Sequence, residues 1–272
     1  MILFSQILSV LAIIVIGFIS IKIDKPKIQI KTLVMVSLLV GLSLILALLS
    51  WMIPLFGFPS LKIGFSQIPL MFIGFVFGPF WGFLGGLLAD VLELLTGTIT
   101  FPFFGFTLNK VLVGFIPGMV VKLIKTDNRY TRMWPTIAIV LISFLAMFYV
   151  FSTNQIKVEE NIIHVALELK FILSAVIVLL MSGLLLSLNI ILKHNKNKYV
   201  FLWILALIVV EMIVQLILTP FWLDVMYGIP FIVSVSVRLI KAVVMIVANT
   251  MIGLVLLKGI VPIFRDKFTV SQ

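Results

Sequence analysis

Asp90, Glu93, Asn109 and Lys110 stand inside three apolar segments between Leu61 and Leu123, joined by the turns at Gly78-Pro79 and from Gly97 to Gly105. An ionisable side chain in a run apolar enough to enter lipid is costly, so each one calls for a partner or a ligand. Asp90 and Glu93 are three residues apart and share one face of a helix. They sit roughly 5 to 10 Å below its end at Gly97, counting about 1.5 Å per residue, and Lys110 lies about as deep on the next helix. Arg238 and Lys241 occupy a comparable level of the last apolar segment, so five charges gather there. Two chemistries fit. In one, the carboxylates neutralise Lys110 and Arg238 and pin helices together. In the other, the cations line a pocket and hold an anion, with the planar guanidinium of Arg238 suited to gripping a carboxylate through two bonds.

Aromatic residues accumulate at the same level: Phe101, Phe103, Phe104, Phe106, Phe221, Trp222 and Tyr227. Any one of them serves equally as packing or lipid contact. Trp222 and Tyr227 fall in the turn Thr219 to Ile232 just before Arg238, where a flat ring could stack beside a tail held by the cation. Glu211 and Asn249 also lie in apolar segments, as polar contacts between helices. With Glu211 counted, buried acids equal buried bases, so net field does not select the sign of a ligand.

The elements that position these groups follow from composition. The chain is 62% hydrophobic and 11% charged, with a mean hydropathy of +1.32. Such a sequence cannot keep its apolar surface from water as a soluble domain and reads as a polytopic membrane protein. Helices satisfy their backbone internally, and the period-two alternation of a barrel is missing, so the fold class is an all-α membrane bundle. The run Ile2 to Ile21 lacks a basic leader and a small-residue cleavage site and is expected to be a retained span. There is no cysteine, which removes disulfides and thiolate metal sites. His164 and His194 fall in polar loops, and no metal or cofactor is expected.

Fourteen of the twenty Lys and Arg residues fall in four segments: Lys22 to Lys31, Lys122 to Arg132, Lys193 to Lys198 and Lys258 to Lys267. The positive-inside rule makes these cytoplasmic. The alternation fits about nine crossings, at 2–21, 32–53, 64–78, 81–97, 105–124, 134–153, 166–192, 200–219 and 234–260, with the N-terminus outside and the C-terminus inside. The third and fourth meet at Gly78-Pro79, where proline stops the preceding helix, and such short helices pack against protein more than lipid. Ser152 to His164 and Lys193 to Lys198 read as water-facing loops, and Trp51, Trp134 and Trp222 as interfacial rings. No solenoid-like repeat is present, so a single membrane domain spans residues 1–272.

No G-x-x-x-x-G-K-[ST] stretch occurs, so the chain cannot bind ATP through a P-loop. Neither H-E-x-x-H nor G-x-S-x-G is present, and an enzyme is not supported, although Asp90 and Glu93 could form an acid/base pair.

Four segments, Lys62-Ile63-Gly64-Phe65-Ser66-Gln67-Ile68-Pro69, Phe77-Gly78-Pro79, Gly85-Gly86-Leu87-Leu88-Ala89-Asp90 and Phe103-Phe104-Gly105-Phe106-Thr107-Leu108, occur in order. A second set follows: Leu218-Thr219-Pro220-Phe221-Trp222-Leu223, Tyr227-Gly228 and Val237-Arg238-Leu239-Ile240-Lys241. Together they resemble the substrate-binding S components of energy-coupling factor (ECF) vitamin transporters, the folate (FolT-like) family above all. The resemblance covers about 32–125 and 200–260 and implies a six-helix core, with 2–21 as an extra N-terminal helix and 134–192 as an inserted helical hairpin. It implies a high-affinity vitamin-binding subunit of an ATP-driven importer in the cell membrane, working with a transmembrane coupling protein and two cytoplasmic ATPases. Folate is the first ligand, with another vitamin-sized molecule such as riboflavin as the alternative.

Within that reading Arg238 holds a carboxylate, Trp222 and Tyr227 stack, and Asp90 orients Lys110 or binds ring nitrogens. Asn109, Phe106, Glu93 and Gln67 complete the site. Asn109, Lys110 and Glu93 depart from the small, hydroxyl or uncharged residues usual in the family, which bears on specificity. Small-xxx-small pairs on the first core helix form the coupling surface in this family, and Ser37 with Gly41 and Ser43 with Ala47 supply that spacing. A different class, an autonomous proton-coupled secondary transporter relaying protons through Asp90, Glu93 and Glu211, calls for inverted repeats that the sequence does not show.

Overall fold

The fold is taken from a computed structural model. It describes residues 2–26, 28–55, 58–97, 102–124, 198–229 and 231–260 continuously, and scattered positions from 136 to 186 that include 155–158 and 161–164.

The first helix, α1 (Ile2–Asp24), buries Ser5, Ser9, Gly17 and Ser20 and turns Leu3, Phe4, Leu11 and Phe18 outward. Small residues inward and large apolar ones outward is the arrangement of a helix bathed in lipid, where close backbone approach replaces hydrophobic exclusion as the packing force. The three serine hydroxyls donate to carbonyls of their own helix, Ser5 to Ile2, Ser9 to Ser5 and Ser20 to Gly17, each at 2.7 Å, so none is left unsatisfied. The second helix, α2 (Ile30–Leu48), buries Thr32, Val36, Val40, Ser43 and Ala47. It stops short of the expected end at 53. Ser50 donates to Ala47 O, and the next residues form an antiparallel hairpin of β1 (Trp51–Leu55) and β2 (Phe58–Ile63). Trp51 faces Ile63 across it, with a bulge at Ile53/Pro54, where proline cannot donate to the ladder.

Helices α3 (Gln67–Phe77) and α4 (Pro79–Leu95) meet at Gly78. With φ of +100° this glycine ends α3 in a conformation side chains rarely adopt, and Pro79 starts α4 where its missing N–H costs nothing. Every residue from Ile68 to Val76 is buried, as expected of a helix too short to span a membrane alone. Helix α5 (Phe104–Leu123) follows. A Cβ added at Gly82 would fall on the carbonyl of Gly114, one at Gly114 on that of Gly82, and one at Gly86 on that of Lys110. Helices α4 and α5 therefore touch backbone to backbone.

From α6 (Lys198–Val210) the chain continues without a break through a π-helical segment, Glu211–Leu218, into α7 (Thr219–Tyr227). Pro220 accounts for the wide turn. It cannot donate to the preceding turn, and the Thr219 N–H and hydroxyl both reach back to Val214 O, the hydroxyl at 2.6 Å. Gly228, with φ of +66°, closes α7, and α8 (Phe231–Ile260) follows. The expected outer turn Thr219 to Ile232 is thus mostly helix. Trp203 of α6 anchors the core, with ring centroids 5.9 Å from Phe72 and 5.4 Å from Phe75.

Among the described residues, five helical stretches are long and apolar enough to cross a membrane: Ile2–Asp24, Ile30–Leu48, Phe104–Leu123, Tyr199–Tyr227 and Val237–Gly259. The fold is a multi-pass helical membrane bundle. Between 136 and 186 the described positions are helical except for β3 (Gln155–Val158) and β4 (Asn161–His164). These strands pair antiparallel within the segment read as a water-facing loop. Trp134, the segment 193–197 with His194, and the ends of the 134–192 hairpin lie outside the described residues.

Gly114→Val, which drives two methyl groups into the α4 backbone, is expected to destabilise the detergent-solubilised protein by about 3 kcal/mol or more. Gly41→Ala, with open space beside it, should leave the melting temperature unchanged or slightly raised. Scanning fluorimetry of the two variants checks the contrast.

Candidate functional site

The α4–α5 contact places the acids of one helix against the base of the other. Lys110 Nζ lies 2.9 Å from Asp90 Oδ1 and 3.0 Å from Glu93 Oε2. Lys62, at the end of β2, adds a second cation 3.5 Å from Glu93 Oε2. Thr107 donates its hydroxyl to Asp90 Oδ2 at 2.6 Å. Two acids and two bases cancel, with both carboxylates buried and the lysines partly exposed. Of the two chemistries open to Asp90, Glu93 and Lys110, the structure displays the paired one, and Lys62 ties the β1–β2 hairpin to it.

Asn109 points the other way, towards α7. Its amide donates to Thr219 Oγ1 at 3.0 Å and its carbonyl accepts from Trp222 Nε1 at 3.1 Å. Trp222 is only 2% exposed and packs edge-on against Phe103 and Phe221, with centroids 5.7 and 4.9 Å away. Phe106 leans on Phe103 at 5.5 Å. The indole expected in an open turn is therefore a buried strut between α5 and α7, because α7 carries it into the bundle. Tyr227 is the last residue of α7. Phe101 lies outside the described residues.

A third group links α3, the π segment and α8. Arg238 Nη1 faces Gln215 Oε1 at 3.5 Å, Gln215 Nε2 donates to Gln67 Oε1 at 3.3 Å, and Gln67 Nε2 donates to Glu211 Oε1 at 2.9 Å. Arg238 Nε also faces Ser234 Oγ at 3.4 Å. The result is a directional relay from a donor-only cation through two amides to an accepting oxygen of Glu211. Lys241, one turn beyond Arg238, acts on Glu211 electrostatically. Both Glu211 and Arg238 are buried. Arg238 thus points into the bundle, among polar groups.

The structure brings Asp90, Glu93 and Lys110 into one group, Asn109, Trp222 and Phe106 into a second, and Gln67 with Arg238 into a third. Gln215 and Ser234 join them unforeseen, and Lys62, Thr107 and Thr219, which stand in the quoted motifs, join them without having been named as site residues. Gln215 had a signal: it stands four residues after Glu211, the spacing that lines polar groups along one helix. Asp24 was missed as well. At the opposite end of the bundle it pairs with Lys122 at 2.7 Å and accepts from Phe80 N at 3.4 Å. The expected coupling residues divide. Ser43 and Ala47 are buried in the bundle, Ser43 donating to Ser66 O at 2.7 Å, whereas Ser37 is exposed and Gly41 has open space beside it.

Lys110→Met would leave two buried carboxylates with one partly exposed lysine, Lys62, against Glu93. The expected cost is about 3 to 5 kcal/mol, partly recovered by adding Asp90→Asn. Chemical unfolding of the single and double variants in detergent tests this, and a Lys110→Met protein as stable as the parent would contradict the pairing.

Over 90 residues the chain is 36% identical to the "Uncharacterized protein MG313 homolog" of Mycoplasma pneumoniae, covering 33% of this chain and 31% of that protein. The alignment thus spans about a third of that curated relative. A solved structure, "Crystal structure of FolT bound with folic acid", superposes with a TM-score of 0.48 at 21% identity, covering 83% of this chain and 91% of that one. The family described as "ECF transporter, substrate-specific component" matches residues 31–265, from α2 to beyond α8. With all of the bundle but α1 inside that match, the chain belongs to the substrate-specific components of ECF transporters, membrane-embedded transport subunits rather than enzymes.

Proposed function

We propose that the chain captures folate at the Lys62 end of the bundle, for import driven by a transmembrane coupling protein and two cytoplasmic ATPases. The observation that carries this reading is convergence: in a family that selects substrates, polar side chains from the hairpin, α3, α4, α5, the π segment, α7 and α8 all meet at one end. The motifs that resemble the folate family run through the same elements, Gln67 on α3, Asp90 on α4, Thr107 on α5 and Arg238 on α8. A flat pterin ring and an anionic glutamate tail suit a site that combines aromatic groups with cations. Arg238 supplies the cation for the anionic part, and Tyr227 supplies a ring at the end of α7. Asp90 orients Lys110 within their ion pair.

Orientation follows from charge. Lys22, Lys122 and Lys258 lie in the last turns of α1, α5 and α8, so the positive-inside rule puts the Asp24 end in the cytoplasm and the Lys62 end outside. That arrangement has the N-terminus outside and the C-terminus inside. For the coupling protein, the accessible pair is Ser37 with Gly41, since Ser43 and Ala47 already face the chain's own helices.

Calorimetry of the purified protein should show folate binding, and Arg238→Ala should weaken it by about 2 to 5 kcal/mol. No heat with folate would remove the ligand assignment, and unchanged affinity in the variant would leave Arg238 a purely structural residue. An ATPase module is expected to copurify with the chain. Uptake by liposomes containing this chain alone would contradict the dependence on that module.

A further inference from the structure

The relay from Arg238 to Glu211 fixes more than the positions of its members. A side-chain amide can turn over and exchange its donor for its acceptor. Here it cannot do so without loss. The guanidinium at one end only donates, so Gln215 must present its oxygen there and its N–H₂ to Gln67. Gln67 in turn presents its oxygen to Gln215 and its N–H₂ to Glu211. The far end, Glu211 Oε1, is thereby held as an acceptor.

That carboxylate is incompletely satisfied. Glu211 is 1% exposed and Oε1 takes the bond from Gln67, while Oε2 is buried with no hydrogen-bond partner among the described residues. The charged groups facing it, Lys241 and Arg238 on α8, act through space. A buried acceptor without a donor is destabilising unless something supplies the donor. The segment that carries Glu211 and Gln215 is π-helical, a local widening that recurs at functional sites.

We propose that Glu211 is the specificity-determining residue of the ligand site, and that it selects a flat ring whose edge offers adjacent N–H donors. This rests on the folate reading and sharpens it. The 2-amino-4-oxopyrimidine edge of a pterin carries the exocyclic amine and the ring N3–H side by side, two donors for one carboxylate. The corresponding edge of a flavin or a lumazine places a carbonyl oxygen where the amine would be. An acceptor then opposes an acceptor, and both are left unpaired away from water. Sites built on a buried hydrogen-bonding group reject analogues that lack the partner more strongly than sites built on apolar contact.

The probes are folate, riboflavin, and the pair pterin-6-carboxylate and lumazine-6-carboxylate, which differ only at ring position 2. They are titrated by calorimetry into the full-length purified protein and its Glu211→Gln variant, whose amide retains the shape of the side chain. The parent should bind the pterin at least about tenfold more tightly than the lumazine and should reject riboflavin, and Glu211→Gln should lose most of that preference. The comparison within the parent protein needs no variant, so it stands even if Glu211→Gln does not fold. Folate bound by the parent with no preference between pterin and lumazine would overturn the role of Glu211 and leave the folate reading intact. So would a Glu211→Gln variant that melts at a lower temperature but keeps the full preference, since that is the signature of an internal charge pair only. Failure of the parent to bind folate at all would remove the folate reading and this inference with it.

Discussion

Lipid offers a buried charge nothing, and the fold answers that constraint through the contact of α4 with α5. Gly82, Gly86 and Gly114 let the two backbones touch. Only at that separation can Asp90 and Glu93, one and two turns beyond Gly86, close on Lys110 at about hydrogen-bond distance. Side chains larger than hydrogen at those glycines would hold the helices apart and strand three charges in an apolar medium. The same contact turns Asn109, the neighbour of Lys110, towards α7, where it fixes Thr219 and the Trp222 indole. The hairpin, α4, α5 and α7 are thus joined at one end of the bundle by polar bonds that all depend on how closely two helices approach.

The opposite end is built differently. Asp24 at the close of α1 accepts from the first turn of α4, pairs with Lys122 at the close of α5, and lies against Gly78. A carboxylate at a helix N-terminus and a lysine at a helix C-terminus both complement the helix dipoles. Helix α1, which precedes the family match, is therefore integrated into the bundle. Its small residues touch the neighbouring helices along its length, Gly17 against the ring of Phe83, and Asp24 fastens its end. One end is clamped by a capped ion pair, and the other holds the acceptor and cations that a ligand could engage.

Much of this was legible in the sequence, and the part that was not has a physical cause. Hydropathy located the helices because an apolar run of spanning length has few alternatives. The turn at Gly78-Pro79 was readable because only glycine and proline suit it. The charges could be placed at one level by counting residues, but their partners could not, since Lys62 reaches Glu93 from a hairpin that fills the turn expected between the crossings at 32–53 and 64–78. Trp222 was misplaced for a related reason. Pro220 looks like a helix end, yet the π turn before it absorbs the missing donor and carries the indole into the core. Most of the motifs that carry the family resemblance run through these polar groups, and Phe77-Gly78-Pro79 lies at the Asp24 end, whereas the relay through Gln215 depends on a wide turn that helical periodicity does not foresee.

On the folate reading proposed above, the polar groups around Arg238 form a site open to the outside when a ligand arrives, and are more than a sealed brace. The chain has no cysteine of its own, so one placed by Ser234→Cys beside Arg238 reports alone. On intact cells, a small membrane-impermeant methanethiosulfonate reagent added from outside should label that thiol, and folate should protect it. A thiol that reacts only after the cells are opened, or at the same rate with and without folate, would contradict the account.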